Sequence, residues 1–406
     1  MTGTAPALRI GYVLGTTSGG TGRHVAMLAK ALVQAGAEVR VFAPAPTRPL
    51  FAATPAPAFD PVAIADRPRP ARDVLAILCL RRLLARLAPD VVHAHGLRAG
   101  ALSAVALWVG PAMTRRRARG RPALVVTVHN APPAAGRLAM IYAGLERIVA
   151  RRADVVLCVS SDLSARMAGL GARSVGRAVV PAPGWTTPGA DPAELDSHGR
   201  PVVLGIGRLA PQKRFDVLLR AAATTGWRER RPAPLVVIAG AGPLAAELAG
   251  LGDELGVDAR FLGQRDDVAR LLAAADVVVL PSQWEGQPLI LQEALRAARP
   301  IVAADVGGVR DLTGDRAALL VPPGDPQALS LAVLAVLDDP GLAARLAVAA
   351  AARAAGLPAP GDAISSVISL YDRLTARCSA QDLAPVKKDG GWREDRGQRD
   401  RPDHHG

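Results

Sequence analysis

Short apolar runs rich in Val, Ile and Leu alternate with helix-like stretches along most of this 406-residue chain, in two separate series. The first series is Leu8–Leu14, Glu38–Phe42, Val91–His93, Leu124–Val128, Val155–Val159 and Ala178–Val180; the second is Val202–Ile206, Leu235–Ala239, Ala259–Leu262, Val277–Leu280 and Ile301–Ala303. A strand that is apolar on both faces must be covered on both, so each series predicts a parallel sheet sandwiched by helices. The chain is also too long for one ordinary core and suits two α/β domains of roughly 150–200 residues each. The expected architecture is α/β, with two doubly wound Rossmann-like units facing each other across a cleft.

Residues 1–183 read as the N-terminal unit and 201–362 as the C-terminal unit, joined by a linker over 184–200 that holds Pro, Gly and Asp without periodicity. Ile364, Val367, Ile368 and Tyr371 recur at helical spacing, so 363–376 reads as a closing helix grouped with the N-terminal unit. The polar segment 379–406 reads as a disordered tail. Proline crowds 43–70, which predicts a long surface loop rather than regular helix or central strand.

Cys79, Cys158 and Cys378 are far apart, odd in number and outside any metal-ligand spacing. They argue against a disulfide framework and a zinc site and suit a reducing, cytoplasmic compartment. The N-terminus runs into a first strand without the pattern of a signal peptide. The longest uncharged stretch, Ala99–Thr114, contains Gly110 and Pro111 and is shorter than the ~18–20 apolar residues of a spanning helix. The net charge of +13 is uneven: residues 1–183 hold 24 Lys or Arg against 8 Asp or Glu, and the remainder 25 against 28. Part of the excess reflects a composition rich in Arg. The rest suits an anionic partner such as a membrane surface or a phosphorylated acceptor, with Arg81, Arg82 and Arg86 on a predicted helix and Arg115, Arg116, Arg117, Arg119 and Arg121 in a turn. Nucleic acid fits worst, because no aromatic-interleaved basic stripe or binding motif accompanies the charge.

The chemistry-bearing residues gather just past predicted strand ends, where open α/β sheets bind ligands. Gly15-Thr-Thr-Ser-Gly-Gly-Thr-Gly22 links the first strand to a helix and can bring backbone N–H groups to a phosphate. Gly207-Arg-Leu-Ala-Pro-Gln-Lys213 places two cations after Val202–Ile206; Arg208 can fork onto phosphate oxygens and Lys213 can add a point charge. Gly240-Ala-Gly-Pro-Leu244 and Gly307-Gly308 are further glycine turns. Pro281-Ser-Gln-Trp-Glu-Gly-Gln-Pro288 leads from Val277–Leu280 into a helix, with Glu285 in the loop and Glu293 on the helix. Were all eight steps helical, these carboxylates would be about 80° apart, reaching different parts of one long ligand. Asp266 and Asp267 read as helix N-terminal charges rather than a metal cluster.

In this order and spacing, Ser18-Gly-Gly-Thr-Gly-Arg-His24, His93-Ala-His-Gly96, Thr127-Val-His129, Ala153-Asp-Val-Val-Leu-Cys-Val-Ser160, Gly207 to Lys213, Gly240-Ala-Gly-Pro243, Glu285 with Glu293, and Gly307-Gly308 with Leu320-Val-Pro-Pro-Gly-Asp325 resemble the retaining GT-B glycosyltransferases of family 4. The resemblance covers Leu8 to Leu374. It implies a nucleotide-sugar donor, UDP- or GDP-linked, bound mainly by the C-terminal half. Arg208 and Lys213 would neutralise the diphosphate leaving group in place of a metal, Glu285 would contact the donor sugar and Glu293 the ribose. The Gly19-Gly20 loop would approach the phosphates, His129 would lie near the reacting sugar, and Gly242, Leu289 and Gly307 would complete the donor-binding set. No metal and no cofactor is implied. The acceptor is left open, with lipid-linked and other cell-envelope acceptors among the candidates.

The chain departs from the family pattern at three places. It reads Pro181-Ala-Pro-Gly-Trp185 where relatives continue Pro-Asn-Gly-Val-Asp, Gln287-Pro288-Leu289 for Phe-Gly-Leu, and Arg310-Asp311-Leu312 for Pro-Glu-Val or Pro-Glu-Ile. Two rival readings share the architecture: a nucleotide-sugar 2-epimerase and a non-catalytic binding module.

Overall fold

The computed structural model describes residues 7–15, 19–65, 67–108, 121–131, 136–182, 195 and 197–376. The tail at 379–406, the arginines at 115–119 and most of the 184–200 linker lie outside the described residues. The described residues form two parallel sheets. The first contains β1 (Arg9–Leu14), β2 (Glu38–Ala43), β3 (Ala58–Pro61), β4 (Val91–His95), β5 (Ala123–Val128), β6 (Val155–Cys158) and β7 (Val175–Arg177), in spatial order β3-β2-β1-β4-β5-β6-β7. The second contains β8 (Val202–Ile206), β9 (Leu235–Ala239), β10 (Ala259–Phe261), β11 (Val277–Leu280), β12 (Ile301–Ala304) and β13 (Leu319–Val321), in order β10-β9-β8-β11-β12-β13. In each sheet the order reverses beside the first strand, which opens a crevice at the strands' carboxyl ends.

Helices cover both faces of each sheet. In the first domain they are α1 (Gly20–Gln34), α2 (Pro70–Leu87), α3 (Leu97–Trp108), α4 (Gly136–Arg152) and α5 (Ser161–Gly169). In the second they are α6 (Phe215–Ala222), α7 (Thr225–Glu229), α8 (Ala245–Glu254), α9 (Val268–Ala274), α10 (Leu289–Arg296), α11 (Val309–Thr313), α12 (Pro326–Asp338) and α13 (Pro340–Ala355). The strand period of two divides β1 between two cores: Ile10, Tyr12 and Leu14 pack with α1, while Val13 packs with α2 and α3. Asp325 and Asp339 each accept a backbone N–H as the N-cap of α12 and α13, with proline in the first helical turn. A final helix, α14 (Pro360–Ala376), follows the second domain in sequence, yet buries Ala363, Val367, Leu370 and Tyr371 in the α1 side of the first domain's core.

Two expectations change. The last strand of the first sheet is β7 at Val175–Arg177, not Ala178–Val180. Ala178 and Val180 are buried, but as the start of the chain's crossing to the second domain. The proline-rich segment is not one irregular loop: it holds a 3₁₀ turn at Ala45–Phe51 and β3, which is an edge strand, as its composition allows. Residues 340–376 are long and apolar enough to cross a membrane by length and composition alone, but they comprise α13 and α14, and α14 packs on the first domain.

Candidate active site

The carboxyl ends of the two sheets meet across the cleft. A Cβ on Gly286 would lie 2.5 Å from the His129 carbonyl oxygen, and one on Gly20 would lie 2.6 Å from Leu289 Cδ1, so glycine at both positions lets the two domains touch. The contact continues away from the cleft, where Asp311 accepts from the Ser161 backbone N–H and hydroxyl, each at 2.8 Å, and pairs with Arg177 at 2.8 Å. The Trp284 indole N–H donates to Asp162 at 3.2 Å. Gln292 fastens the chain's crossing: its carbonyl accepts from the Ala182 N–H at 2.9 Å and its amide donates to the Val180 carbonyl at 2.8 Å. Ala182, which stands where the family pattern has Asn, meets Gln292 through its backbone N–H.

On the C-terminal side, the sheet end is built by close backbone packing. A Cβ on Gly240 would fall 1.9 Å from the Gly207 carbonyl oxygen, one on Gly242 2.3 Å from that of Leu209, and one on Gly307 1.9 Å from that of Glu285. Only glycine permits these approaches, and Gly307, with φ of 49°, is also left-handed. The result is a stack of turns that aims the 207–213 loop and the 281–288 loop at one region. Lys213 Nζ meets Glu285 Oε1 at 2.5 Å, and Ser282 Oγ donates to the same oxygen at 2.6 Å. Glu285 is only 5% exposed, so its charge is held by that pair. Arg208 on the same loop is exposed and makes no ion pair among the described residues. Glu293 lies on α10, whereas Glu285 precedes the helix, so the helical angle expected between them does not apply. Burial pushes the Glu293 carboxyl up to about 7, against the opposing pull of Arg23 on α1 and Arg296.

On the N-terminal side, α1 starts at Gly20 with Gly19 as its N-cap and no side-chain cap, leaving its first N–H groups for a ligand. Beside it, four histidines, two on β4, one just past β5 and one on α1, form a buried cluster. The rings of His93 and His95 stack with centroids 4.3 Å apart, those of His95 and His129 at 5.3 Å, and His24 meets the latter two edge-on. His95 Nδ1 lies 3.1 Å from His129 Nε2, while His24 Nδ1 and His95 Nε2 are buried without a hydrogen-bond partner among the described residues. His93 is held by Thr127 at 2.7 Å and by the Tyr371 hydroxyl at 2.6 Å, so α14 reaches the cluster from beneath. Burial keeps the rings neutral, and repulsion from neighbouring histidines adds to it at His93, His95 and His129: His24 is lowered to about 4, His93 and His129 to about 3, and His95 well below its ordinary value.

The structure therefore gathers Gly20, His129, Lys213, Glu285, Leu289 and Gly307 along one cleft, with Gly19, Arg208, Gly242 and Glu293 on the adjoining elements. Sequence reasoning passed over Ser282, Gln292, Arg23 and Tyr371. Gln292 carried a signal, since it directly precedes Glu293; Tyr371 carried none, because its partner is 278 residues away. Among the described residues, no three His, Cys, Asp or Glu side chains are gathered in a way that could hold a metal ion.

Residues 18–184 match the family described as Glycosyltransferase Family 4, and residues 200–339 match Glycosyl transferases group 1. Alpha-D-kanosaminyltransferase of Streptomyces kanamyceticus is 34% identical over 176 residues, 41% of this chain and 45% of that protein. The UDP-Gal:alpha-D-GlcNAc-diphosphoundecaprenol alpha-1,3-galactosyltransferase of Escherichia coli is 27% identical over 286 residues, 66% of this chain and 71% of the relative. The fold is similar to that of Anabaena HepE crystallised with UDP and glucose, with a TM-score of 0.73, 20% identity, and 90% and 99% of the two chains covered. The chain spans less than half the length of the kanosaminyltransferase and of the D-inositol 3-phosphate glycosyltransferases that also match.

Proposed function

Because the chain belongs to the family 4 glycosyltransferases of GT-B architecture, we propose that it transfers a sugar from a nucleotide-sugar donor with retention of configuration and without a divalent metal. The observation that carries this reading is the C-terminal sheet end, where exposed Arg208 and the Lys213–Glu285 pair share a rim shaped by glycines that let backbone approach backbone. A UDP-sugar donor is supported by the UDP in the HepE structure and by the name of the Escherichia coli relative. That name also supports a lipid-linked acceptor, which fits a cytoplasmic protein resting on the inner face of a membrane through its basic half.

The chemistry follows from where the charges are. An arriving diphosphate competes with Glu285 for Lys213, and Arg208 forks onto the remaining phosphate oxygens. Glu285, still fixed by Ser282, is then free to accept hydrogen bonds from sugar hydroxyls. As the C–O bond to the diphosphate breaks, the two cations stabilise the developing charge. The acceptor oxygen attacks from the same face and its proton passes to the departing phosphate oxygen. Neutral His129 offers Nδ1 to the sugar without adding charge.

A thermal-shift screen of nucleotide sugars, followed by turnover after exhaustive EDTA treatment and NMR of the product anomer, tests this reading. One UDP-sugar is expected to stabilise the fold, turnover to survive EDTA, and the anomeric configuration to be kept. Activity abolished by EDTA and restored by magnesium, or donor epimerised without acceptor, contradicts it.

A further inference from the structure

The alternation of strand side chains puts His93 and His95 on one face of β4, where the parallel register sets His95 beside Thr127 of β5, and His129 follows two residues after Thr127. In a neutral imidazole one nitrogen donates and the other accepts, so the bond made by one decides what the other can do. His93 is pinned at both nitrogens, by the Tyr371 and Thr127 hydroxyls, and stacks on His95 with planes 28° apart. Tyr12 flanks both rings, its centroid 5.5 Å from one and 5.6 Å from the other. His95, 4% exposed, is thereby held with Nδ1 toward His129; a half-turn of its ring would put carbon there and lose the bond.

The surroundings of His95 also decide which ring donates in this bond. Its Nδ1 lies 3.1 Å from His129 Nε2, while its Nε2 is buried with no hydrogen-bond partner among the described residues. Burial keeps the ring neutral, so it holds one proton. On Nε2 that proton would form a buried N–H with no acceptor, an arrangement that folded proteins rarely tolerate. On Nδ1 it is donated to His129, and Nε2 is left with an unshared electron pair, the lesser loss. His129 Nε2 is then the acceptor. His129 is neutral for the same reason, and its single proton is therefore on Nδ1. His24 meets both rings edge-on and leaves its own Nδ1 unpartnered, so that nitrogen offers neither ring a competing bond.

We infer that His95 is a positioning residue: donating from Nδ1, it fixes His129 in the tautomer that carries its proton on Nδ1. Through that nitrogen His129 can donate to an oxygen and cannot take a proton from one, so it recognises a hydroxyl or other oxygen lone pair and does not serve as a base there. The tautomer rests on the histidine cluster; that the oxygen belongs to the donor sugar rests on the transferase reading. The acceptor's proton must then go elsewhere, and the departing phosphate oxygen is the group in the proposed chemistry that can take it.

Long-range proton–nitrogen correlation NMR of the ¹⁵N-labelled full chain near neutral pH tests the relation, with the His129 signals identified by their loss in His129→Gln. Wild-type protein is expected to show His129 with a protonated Nδ1 and a bare Nε2. A protonated Nε2, or two nitrogens averaged between tautomers, overturns the inference without any change to His95. In His95→Asn the side-chain amide can stand where Nδ1 stood and donate to His129, so the pattern is expected to survive; in His95→Leu it is expected to be lost. A leucine variant that keeps the wild-type pattern would mean that something other than His95 fixes the tautomer, and also overturns it. With the UDP-sugar that a thermal-shift panel identifies, kcat is expected to fall about 10–100-fold in the leucine variant, as loss of an orienting partner does for metal-binding histidines, and to recover in the asparagine variant. Equal and measurable turnover in the two variants counts against the role. The two readings fail separately: a protonated Nδ1 in a protein that no nucleotide sugar stabilises sinks the transferase and leaves the tautomer, and a protonated Nε2 in a protein that one does stabilise has the reverse effect.

Discussion

The two sheet ends that face each other across the cleft handle charge in opposite ways. The C-terminal end keeps its charges, with Arg208 exposed and Lys213 paired to a buried Glu285. The N-terminal end takes four groups able to carry charge, His24, His93, His95 and His129, and buries them so fully that all four are held neutral. On the proposed reading this difference is a division of tasks: one wall would hold cations for an anionic leaving group, and the histidines of the other would offer polar but uncharged contacts to sugar hydroxyls, with Arg23 on α1 facing Glu293 as its charged member.

The largest expected effect of this contrast is on acid stability. The four histidines have folded-state values below the ordinary 6.5, so the unfolded chain takes up protons first as pH falls. Their contribution to stability is present above that value and is lost progressively toward the folded-state values near 3 to 4. One pH unit below 6.5, His24, His93 and His129 together lose roughly 4 kcal/mol, and His95 adds a loss in the same direction. Urea unfolding at about pH 7.5 and pH 5.5 measures it; equal stabilities would break the contrast. Next in size is Gln292→Leu, which leaves the buried Ala182 N–H and Val180 carbonyl unpartnered and is expected to destabilise by about 1–3 kcal/mol. A change within error in urea unfolding would mean that the crossing is held by other contacts.

The last effect runs with the opposite sign. The Glu293 carboxyl is raised to about 7, so its contribution is fully present below the ordinary 4.5 and is lost as pH rises through 7. Glu293→Gln should therefore gain on the parent as pH rises, by about 2 kcal/mol between pH 5 and pH 8, the histidine effect cancelling in the difference. A pH-independent difference in unfolding free energy would show that Glu293 is already charged and solvated.

Much of the fold was legible because parallel strands covered on both faces must be apolar throughout, as in Val202–Ile206 and Leu235–Ala239. The same signal misplaced the last strand of the first sheet, because burial and ladder pairing are separate properties. Val180 is buried outside the ladder and Ala178 only donates a last backbone bond to the Cys158 carbonyl, while Val175–Arg177 pairs on the sheet edge half exposed. On α2, Val74 and Leu78 share helical spacing with Leu84 and Leu87, yet the first two are exposed and the last two buried, since spacing shows a face but not whether anything covers it. At the candidate site, strand-end glycines and cations were visible locally, and so was the alternation that puts His93 and His95 on one face of β4. Their stacking with His129 and His24, and the support from Tyr371, depend on segments that only the sheet order brings together.

Arg208→Ala tests the central claim most directly, because this side chain is exposed and pairs with nothing among the described residues, so its removal leaves the fold unstrained. Turnover is to be measured at saturating donor alongside thermal unfolding, with Arg208→Lys as the charge-preserving control. If the C-terminal cations stabilise the leaving diphosphate, kcat falls by about 2–4 kcal/mol of barrier in the alanine variant, recovers in part in the lysine variant, and the unfolding temperature does not move. An alanine variant with wild-type kcat would contradict the account.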